Sequence, residues 1–233
     1  MPEVEFSIVI PARDEEAYIL GALRSVLDQR YPLDRVEVVV VDNGSRDRTA
    51  EVVSGFAGKH PDLRLRLIRE PTPGRARAKN LGVAASQGRW VVFLDADSRM
   101  SPDLLDAIAR RTASGEQAAS IAVLADSEDP VDQGFFALME FGKRLFGIRA
   151  QMFYCARDLF NHFGMLDAQL QIAEDLEFLQ RLQRGGIRVG HVVEAAIYTS
   201  PRRLRALPLR LGVFVVFFRW ALAHVGIGRR WPY

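Results

Sequence analysis

The sequence predicts an α/β fold with a mostly parallel central sheet flanked by helices. Two almost entirely apolar runs, residues 36–41 and 90–94, carry this prediction. Strands of a parallel sheet are buried on both faces and are therefore apolar throughout. Segments with helical spacing of apolar residues alternate with these runs. Such alternation is typical of parallel sheets covered by helices on both faces.

The other elements follow from periodicity and from helix-ending signals. Arginine alternates with leucine or isoleucine at 63–68, which predicts a more exposed strand. Proline after Ser101 opens one helix, and two glycines at 185 and 186 end another. Further strands are predicted at 5–10, 118–124, 151–155 and within 187–198. Helices are predicted at 15–29, from Ser45 or Asp47 to about Ala57, at 74–86, from Ser101 onward, and at 131–146, 157–163 and 172–184.

Charge is distributed unevenly, although the net charge of the 233-residue chain is only +2. The first 201 residues carry −5, whereas the last 32 contain seven arginines and no acid. An anionic membrane surface is the expected partner of this tail, and nucleic acid is not. The single cysteine, Cys155, excludes an internal disulfide and is expected to be buried. The expected location is cytoplasmic, peripheral at the inner face of the cell membrane.

The tail predicts an interfacial helix. Its apolar run at 211–218 is too short to span a bilayer. Extending the run to Ile227 buries Arg219 and His224. We therefore expect residues 201–233 to form a basic, apolar C-terminal helix that lies on a membrane surface. Packing of this helix on the core is the alternative.

Two carboxylates follow the predicted strand at 90–94. Asp95 and Asp97 are one residue apart at the strand end, so both can turn toward one exposed point. Hard oxygen ligands suit Mg²⁺ or Mn²⁺, and such ions are commonly shared with substrate phosphates. A solvated turn, or Asp97 as a helix cap, is the alternative for an isolated motif. The buried strand before it favours the metal site.

A second acid, Asp42, ends the strand at 36–41. It can accept hydrogen bonds from a base or ribose, because ligands bind at the carboxyl ends of strands in open α/β sheets. Gly44 permits the tight turn that follows. A plain turn with a helix cap explains the Asn43–Ser45 segment equally well.

Taken together, these segments resemble family 2 glycosyltransferases, which have the nucleotide-diphospho-sugar transferase (GT-A) fold. The resemblance covers roughly residues 5–200, and its specificity lies in the ordered set. An acceptor-side half is marked by Gly164-Met-Leu-Asp167 and by Ala173-Glu-Asp175. The donor-side segments are Ile10-Pro-Ala-Arg-Asp-Glu-Glu16, Val41-Asp-Asn-Gly-Ser-Arg-Asp-Arg-Thr49, Gly74 to Gly82 and Phe93-Leu-Asp-Ala-Asp97.

The resemblance implies one glycosyltransferase domain at 1–200. Residues 1–100 form its nucleotide-binding half, and residues 101–200 form its acceptor and catalytic half. The implied ligands are a nucleotide-diphospho-sugar donor, Mn²⁺ or Mg²⁺, and a saccharide or lipid-linked acceptor. Of the implied donor-binding residues, Pro11, Ala12 and Glu15 border the nucleotide base, and Asp42 contacts the ring of that base. Arg77 and Lys79 approach the base, the ribose or the diphosphate. Asp95 faces the ribose or the sugar.

For the chemistry, the resemblance implies Asp97 as the metal ligand and Asp175 as the catalytic base, with Glu174 beside it to position the acceptor or the donor sugar. A base that removes the acceptor proton during one in-line displacement inverts the anomeric carbon. Asp175 lies at a predicted helix start, where the helix dipole favours its ionised form and makes it a weaker base. First-turn acids that only stabilise their helix are the alternative.

The chain departs from the family pattern at two places. The family often has a histidine after the last core strand, whereas Thr199 or Ser200 stands here. Arg202 and Arg203 follow and can supply phosphate-binding charge instead. Lys79 stands where arginine is frequent, and lysine lacks bidentate phosphate geometry.

Two other enzyme classes and a non-catalytic role are the alternatives to a glycosyltransferase. A sugar-phosphate nucleotidylyltransferase or a dinucleotide oxidoreductase needs a glycine-rich loop after the first strand, and 10–14 contains no glycine. A non-catalytic sugar-nucleotide or membrane-binding module is disfavoured by the intact pairs of acids at 95 and 97 and at 174 and 175.

Overall fold

The computed structural model describes residues 3–170 and 172–205. The predicted C-terminal helix therefore lies outside the described residues beyond Arg205. Within the described ranges, no helix is both long and apolar enough to cross a bilayer.

The strands of the described chain form one eight-stranded sheet, in the order β3-β2-β1-β4-β7-β6-β8-β5. The pairs within β3-β2-β1-β4 are parallel. Beyond β4 the sheet is mixed, because β7 runs antiparallel to both β4 and β6. The α/β prediction is confirmed, with a parallel first half and a mixed second half. The strands are β1 (Phe6–Ala12), β2 (Val36–Asp42), β3 (Arg64–Arg69), β4 (Trp90–Phe93), β5 (Ser98–Met100), β6 (Ala118–Ala125), β7 (Phe153–Ala156) and β8 (Val189–Thr199).

Helices connect the strands and cover both faces of the sheet. A 3₁₀ turn at Leu33–Arg35 precedes β2. The α-helices are α1 (Ile19–Leu27), α2 (Thr49–Lys59), α3 (Arg75–Ala85), α4 (Leu104–Ala113), α5 (Pro130–Leu145), α6 (Asp158–Phe163), α7 (Glu174–Arg184) and α8 (Arg202–Arg205).

Alternating residues of the central strands feed two separate cores. In β4, Trp90 and Val92 pack with α1 and α4, whereas Val91 and Phe93 pack with α6 and α7. Successive side chains of a strand point to opposite faces, so a strand covered on both sides must be apolar at every position. This double burial fixes the ends of β1, β2 and β4 relative to one another.

Two local features differ from the sequence prediction. The helix expected from residue 15 begins only at Ile19. The amides of Glu15 and Glu16 instead donate to the Thr49 and Asp47 side chains, at 2.8 and 3.0 Å. The short strand β5 was not predicted, because three residues are too few to show a period.

Candidate active site

A cavity of about 320 Å³ lies at the carboxyl edge of the parallel half of the sheet. β1, β2 and β4 are parallel neighbours, so the residues that follow them meet at this edge. The start of α3 and the short helix α8 complete the wall. The lining residues are Pro11, Ala12, Arg13, Glu15, Asn43, Pro73, Gly74, Arg75, Asp95, Ala96, Asp97 and Arg203.

Asn43 forms the cavity wall after β2 and organises the loop before α3. Its amide donates to the Ala12 carbonyl at 2.8 Å. Its side-chain nitrogen donates to the carbonyls of Glu70 and Thr72, at 3.1 and 2.8 Å, and its oxygen accepts from the Gly74 amide at 2.8 Å. These bonds tie the ends of β1 and β2 to the start of α3. The sequence prediction named Asp42 and did not assign a role to Asn43.

Asp42 itself is buried behind this wall. Its side-chain oxygen accepts from the Ser45 amide at 3.1 Å, and the residue is 7% exposed. Asp42 is not among the residues that line the cavity. This is the turn-stabilising contact that the sequence analysis kept as the alternative.

The helix α3 presents one face to the site, and that face differs from the prediction. Arg75 lines the cavity and Lys79 is buried below it, whereas Arg77 is exposed and lies outside the lining. Residues four apart share a helix face, and residues two apart do not. The 75/79 spacing was therefore the available signal for Arg75, which the prediction missed.

Asp95 carries its charge inside a cluster of cations. Burial opposes its ionisation, but Arg75, Lys79, Arg203 and Arg202 together hold the pKa of Asp95 below its usual range. The carboxylate thus stays ionised at the cavity wall, and the surrounding arginines give that wall positive charge. A diphosphate fits such a wall, because arginine binds phosphate oxygens in a forked geometry.

Arg202 links Asp97 to Glu15. Its guanidinium lies 2.9 Å from an Asp97 carboxylate oxygen and also pairs with Glu15. The same guanidinium stacks over the Tyr18 ring, 4.5 Å from the centroid. Burial raises the pKa of Glu15 although Arg202 opposes this effect. The second carboxylate oxygen of Glu15 is buried without a hydrogen-bond partner in the described part of the chain.

Lys79 joins the two acids at the start of α7. Its amine donates to Glu174 at 3.0 Å and to Asp175 at 2.5 Å. The side chains of Lys79 and Glu174 are each 3% exposed, and that of Asp175 is 13% exposed. The structure therefore places Lys79 against Asp175, the candidate catalytic base, and outside the cavity lining. The family resemblance had implied a contact with the nucleotide base, the ribose or the diphosphate.

Asp175 is a weaker acid than its helix-start position predicts. Burial raises its pKa to about 7, with the charges of Glu174 and Asp95 adding to the rise and Lys79 opposing it. The prediction that the helix dipole makes Asp175 a weaker base is wrong, because desolvation outweighs the dipole. Asp175 is not a lining residue, but it lies close enough to Asp95 for their charges to interact.

The backbone before these acids is strained. Ala173 has φ 62 and ψ 26, a left-handed conformation, immediately before Glu174. A residue with a Cβ pays roughly 1–2 kcal/mol in this region. Ala173 is the last residue before α7. Its left-handed backbone sets the direction in which the helix begins, and so turns Glu174 and Asp175 toward Lys79. Strained backbone of this kind is common at functional sites.

Asp95 and Asp97 are the carboxylates that could hold a divalent metal ion at the cavity. Within residues 3–170 and 172–205 there is no group of three histidine, cysteine or acidic residues arranged to hold a metal ion. Mg²⁺ and Mn²⁺ are often bound by one or two carboxylates together with substrate phosphates. The donor set therefore fits an ion that is shared with a diphosphate, provided that Arg202 moves off Asp97.

The predicted residues thus divide into two sets. Five of them line the cavity, and the other five lie outside its lining, where Lys79, Glu174 and Asp175 form one buried cluster. The lining set is Pro11, Ala12, Glu15, Asp95 and Asp97, and the other set is Asp42, Arg77, Lys79, Glu174 and Asp175.

Comparison with known proteins gives one family and several relatives. Glycosyl transferase family 2 matches residues 7–166. The probable glycosyltransferase YdaM of Bacillus subtilis is 35% identical over 100 residues, which are 42% of this chain and 23% of YdaM. The succinoglycan biosynthesis protein ExoO of Rhizobium meliloti is 38% identical over 134 residues, 56% of this chain and 34% of ExoO. These matches span well under half of either relative.

Solved structures share the fold. A crystal structure of S. aureus TarS 1-349 in complex with UDP-GlcNAc has a TM-score of 0.69 at 24% identity and covers 84% of this chain and 58% of that one. The mannosyltransferase PcManGT from Pyrobaculum calidifontis, in complex with GDP-Man and Mn²⁺, has a TM-score of 0.69 at 23% identity and covers 94% and 65%. At these identities the likeness concerns the fold.

Proposed function

This chain belongs to glycosyl transferase family 2, and on that premise we propose that it is an inverting, metal-dependent glycosyltransferase. It moves a sugar from a nucleotide-diphosphate donor to an acceptor hydroxyl. The observation that carries this proposal is the position of Asp175. It pairs with Lys79 at 2.5 Å and interacts with Asp95 at the wall of a cavity lined by acids and arginines, and partial burial raises its pKa to about 7. A general base works best when its pKa is near the operating pH.

The donor occupies the cavity at the carboxyl edge. Pro11, Ala12 and Glu15 border the nucleotide base. Asp42 supports this side by holding the turn at Asn43 through its hydrogen bond from the Ser45 amide. The backbone on this side of the cavity is held in place by the parallel strands β1, β2 and β4.

Positive charge in the same cavity receives the diphosphate. Arg75 and Arg203 line the wall and face Asp95, whose carboxylate is left to contact the ribose or the sugar. Negative charge grows on the leaving phosphate as the glycosidic bond breaks, so fixed guanidinium groups stabilise the transition state more than the ground state. Arg75 takes the role that the sequence prediction gave to Arg77.

Asp97 is the proposed ligand of Mn²⁺ or Mg²⁺. When bound, such an ion acts as a Lewis acid on the departing diphosphate. Asp97 now lies 2.9 Å from the Arg202 guanidinium, and it would hold the ion in place of that group. Arg202 would then keep its partner Glu15 and add positive charge at the cavity edge.

Asp175 removes the acceptor proton. Desolvation makes its carboxylate a better proton acceptor than a solvated aspartate, while Lys79 keeps it ionised near neutral pH. Glu174 stays ionised, since burial is outweighed by Lys79 and Arg75, which lower its pKa. It therefore holds the Lys79 amine in place, and its role is to position the base.

The acceptor is proposed to be a saccharide or a lipid-linked hydroxyl compound. The basic, apolar segment after residue 201 favours the lipid-linked form, because it suits a protein that works at an anionic membrane surface.

Release of nucleoside diphosphate tests the function without knowledge of the acceptor. The full chain is incubated with UDP-GlcNAc or GDP-Man and Mn²⁺, and UDP or GDP is measured. We expect turnover with at least one nucleotide-sugar from a wider panel, and a loss of about 10²-fold or more in Asp97→Asn, since a metal Lewis acid supplies several kcal/mol. Asp62→Asn, an exposed acid outside the cavity, is the matched control. A folded chain that releases no nucleotide from any donor contradicts the proposal.

A further inference from the structure

The outer surface of α5 is apolar. Five large side chains on this helix or directly after it are 57–74% exposed: Val131, Leu138, Phe141, Leu145 and Phe146. Leu138, Phe141 and Leu145 are spaced by three and four residues, so they form one stripe on the helix. Of the α5 residues that are exposed, only Arg144 is charged. A helix on a protein surface normally shows the opposite pattern, with charges outward and apolar residues inward.

The acids of α5 point inward and are paired there. Asp132 is 1% exposed on its side chain and pairs with Arg205. Glu140 accepts from the Val123 amide at 3.1 Å and pairs with Lys143. Burying an ion pair costs free energy that the mutual attraction offsets only in good geometry. The result of this arrangement is an outer surface that carries no negative charge.

Besides the Val123 amide of β6, His191 of β8 holds the inward side of α5. His191 of β8 lies 3.2 Å from Glu140 and shares a 2.8 Å hydrogen bond with Ser120 of β6. These contacts anchor the helix to β6 and β8. The exposed stripe is therefore displayed by a fixed helix.

The sequence after the last described residue has a composition like that of the α5 surface. Arg205, the last described residue, pairs with Asp132 in the first turn of α5. The following residues, 206–233, contain four arginines and no acid, together with the apolar run at 211–218. The composition of this segment therefore resembles that of the exposed α5 surface, apolar with positive charge and without negative charge.

We propose that α5 is a membrane-docking surface, and that its occupant is the headgroup and upper acyl region of a bilayer with anionic lipids. Leu138, Phe141, Leu145 and Phe146 enter the apolar boundary, and Arg144 contacts lipid phosphates. Helices that lie in a membrane interface combine such an apolar stripe with flanking cations. Neutral lipid lacks the negative charge that attracts Arg144 and the four arginines after residue 205.

Docking through α5 brings the cavity to the membrane. The helix follows β6, and its first turn contacts α8, which also supplies Arg203 to the cavity. This reading deepens the lipid-linked acceptor of the proposed function and rests on it. The docking itself does not depend on transfer, so binding is measured without any nucleotide-sugar.

Vesicle flotation tests the surface. The full chain is mixed with vesicles of phosphatidylglycerol and phosphatidylcholine at 1:1, or of phosphatidylcholine alone. We expect flotation with the anionic vesicles and at least 10-fold weaker partitioning of the double variant Leu138→Ser, Phe141→Ser. Val193→Ser, at a position of β8 that is 49% exposed, is the matched control and should float as the parent chain does. Equal flotation of the double variant and the parent overturns the proposal.

A probe on the helix guards against a variant that fails to fold. Cys155 is fully buried, so a polarity-sensitive dye on Leu138→Cys labels the stripe selectively. We expect a blue shift on addition of anionic vesicles and none for the same dye on Val193→Cys. A dye that is already shielded without vesicles, and unchanged by them, assigns the stripe to residues 206–233 of the chain and overturns the proposal. Asp175→Asn should float normally, which separates a failure of docking from a failure of catalysis.

Discussion

Two ion clusters flank the cavity, and they differ in burial and in permanence. Lys79, Glu174 and Asp175 join the facing helices α3 and α7, and their side chains are 3–13% exposed. Arg202 joins Asp97 to Glu15 from the last described helix, and its side chain is 29% exposed. Closely packed charges on two long helices are costly to separate, whereas a half-exposed arginine on a four-residue helix is not.

Because they differ in burial, the two clusters have different tasks in the proposed mechanism. The buried cluster holds Asp175, the proposed base, and sets its pKa, so in the proposed mechanism it persists through the reaction. The half-exposed one covers the acid proposed to bind metal, so it must open when the ion and the donor enter. Disrupting the first should damage the chemical step, and disrupting the second should change ligand affinity.

The largest effect is expected from Asp175→Asn. An amide cannot accept the acceptor proton, so kcat should fall by about 10²–10⁴, the usual contribution of a general base. Donor affinity should change little, because Asp175 lies outside the cavity lining. The measurement is kcat from nucleotide release, with donor binding followed by calorimetry.

Asp62→Asn serves as the control for this variant. Asp62 is an exposed acid outside the cavity lining, so kcat should stay near the parent value. Full activity of Asp175→Asn would remove this residue from the chemistry.

The next effect is expected from Lys79→Met. Loss of the ammonium 2.5 Å from Asp175 removes an attraction that lowers the pKa of this acid. The base would then ionise only at higher pH, and the acidic limb of the kcat profile should move upward by about 1–3 pH units, the range for a nearby opposite charge. Activity should partly return at alkaline pH.

Lys79→Arg separates this role from simple folding. It keeps the charge, so the position of the limb should remain close to that of the parent even if kcat drops. A limb that stays in place in Lys79→Met, with only an overall loss of kcat, would assign Lys79 a structural role alone.

A smaller effect is expected from Arg202→Met. Asp97 then loses its guanidinium partner at 2.9 Å and is open to a divalent ion. The apparent Kd for Mn²⁺ in the presence of UDP should decrease several-fold, and donor affinity should weaken if Arg202 also contacts the diphosphate. Titration of nucleotide binding with Mn²⁺ measures both. Weaker Mn²⁺ binding in this variant contradicts the exchange of Arg202 for metal.

The smallest effect concerns the fixed wall, not its charges. Asn43→Ala removes three side-chain hydrogen bonds to the loop at 70–74. We expect a loss of about 1–3 kcal/mol in the free energy of unfolding, as for a buried polar group left without its partner. Urea unfolding measures this loss. Unchanged stability with an unchanged donor KM would show that this loop is not held by Asn43.

Much of the fold could be predicted because burial leaves a strong imprint on the sequence. Strands such as β2 and β4 are covered on both faces, and the resulting apolar runs are unambiguous. The placement of Asp95 and Asp97 at the cavity follows from the same rule. Their position depends only on the end of a strand, which the sequence marks by a change from apolar to acidic residues.

Side-chain direction was harder to predict. Arg77 was expected at the site and Arg75 lies there, because arginine and alanine alternate at the start of α3 and this helix has no clear apolar face. The start of α1 was misplaced for a related reason. The side chains of Asp47, before α2, and Thr49, its first residue, accept hydrogen bonds from the amides of residues 15 and 16. Such contacts between residues more than 30 positions apart leave no local signal in the sequence.

The pKa of Asp175 was also beyond a local reading. A helix start predicts an ionised acid, but burial depends on how α7 packs against α3, which the sequence around 175 does not state. The same holds for Lys79, whose partners lie 95 and 96 residues away.

Direct titration of Asp175 is the sharpest test of this account. Carboxyl carbons of the full chain, labelled with ¹³C at aspartate, are followed by NMR from pH 4 to 9 and assigned with Asp175→Asn. One aspartate signal should titrate near pH 7, disappear in that variant and move to higher pH in Lys79→Met. If every aspartate signal completes its titration below about pH 5, close to the unperturbed value, Asp175 is not a base poised at neutral pH and the proposed mechanism is contradicted.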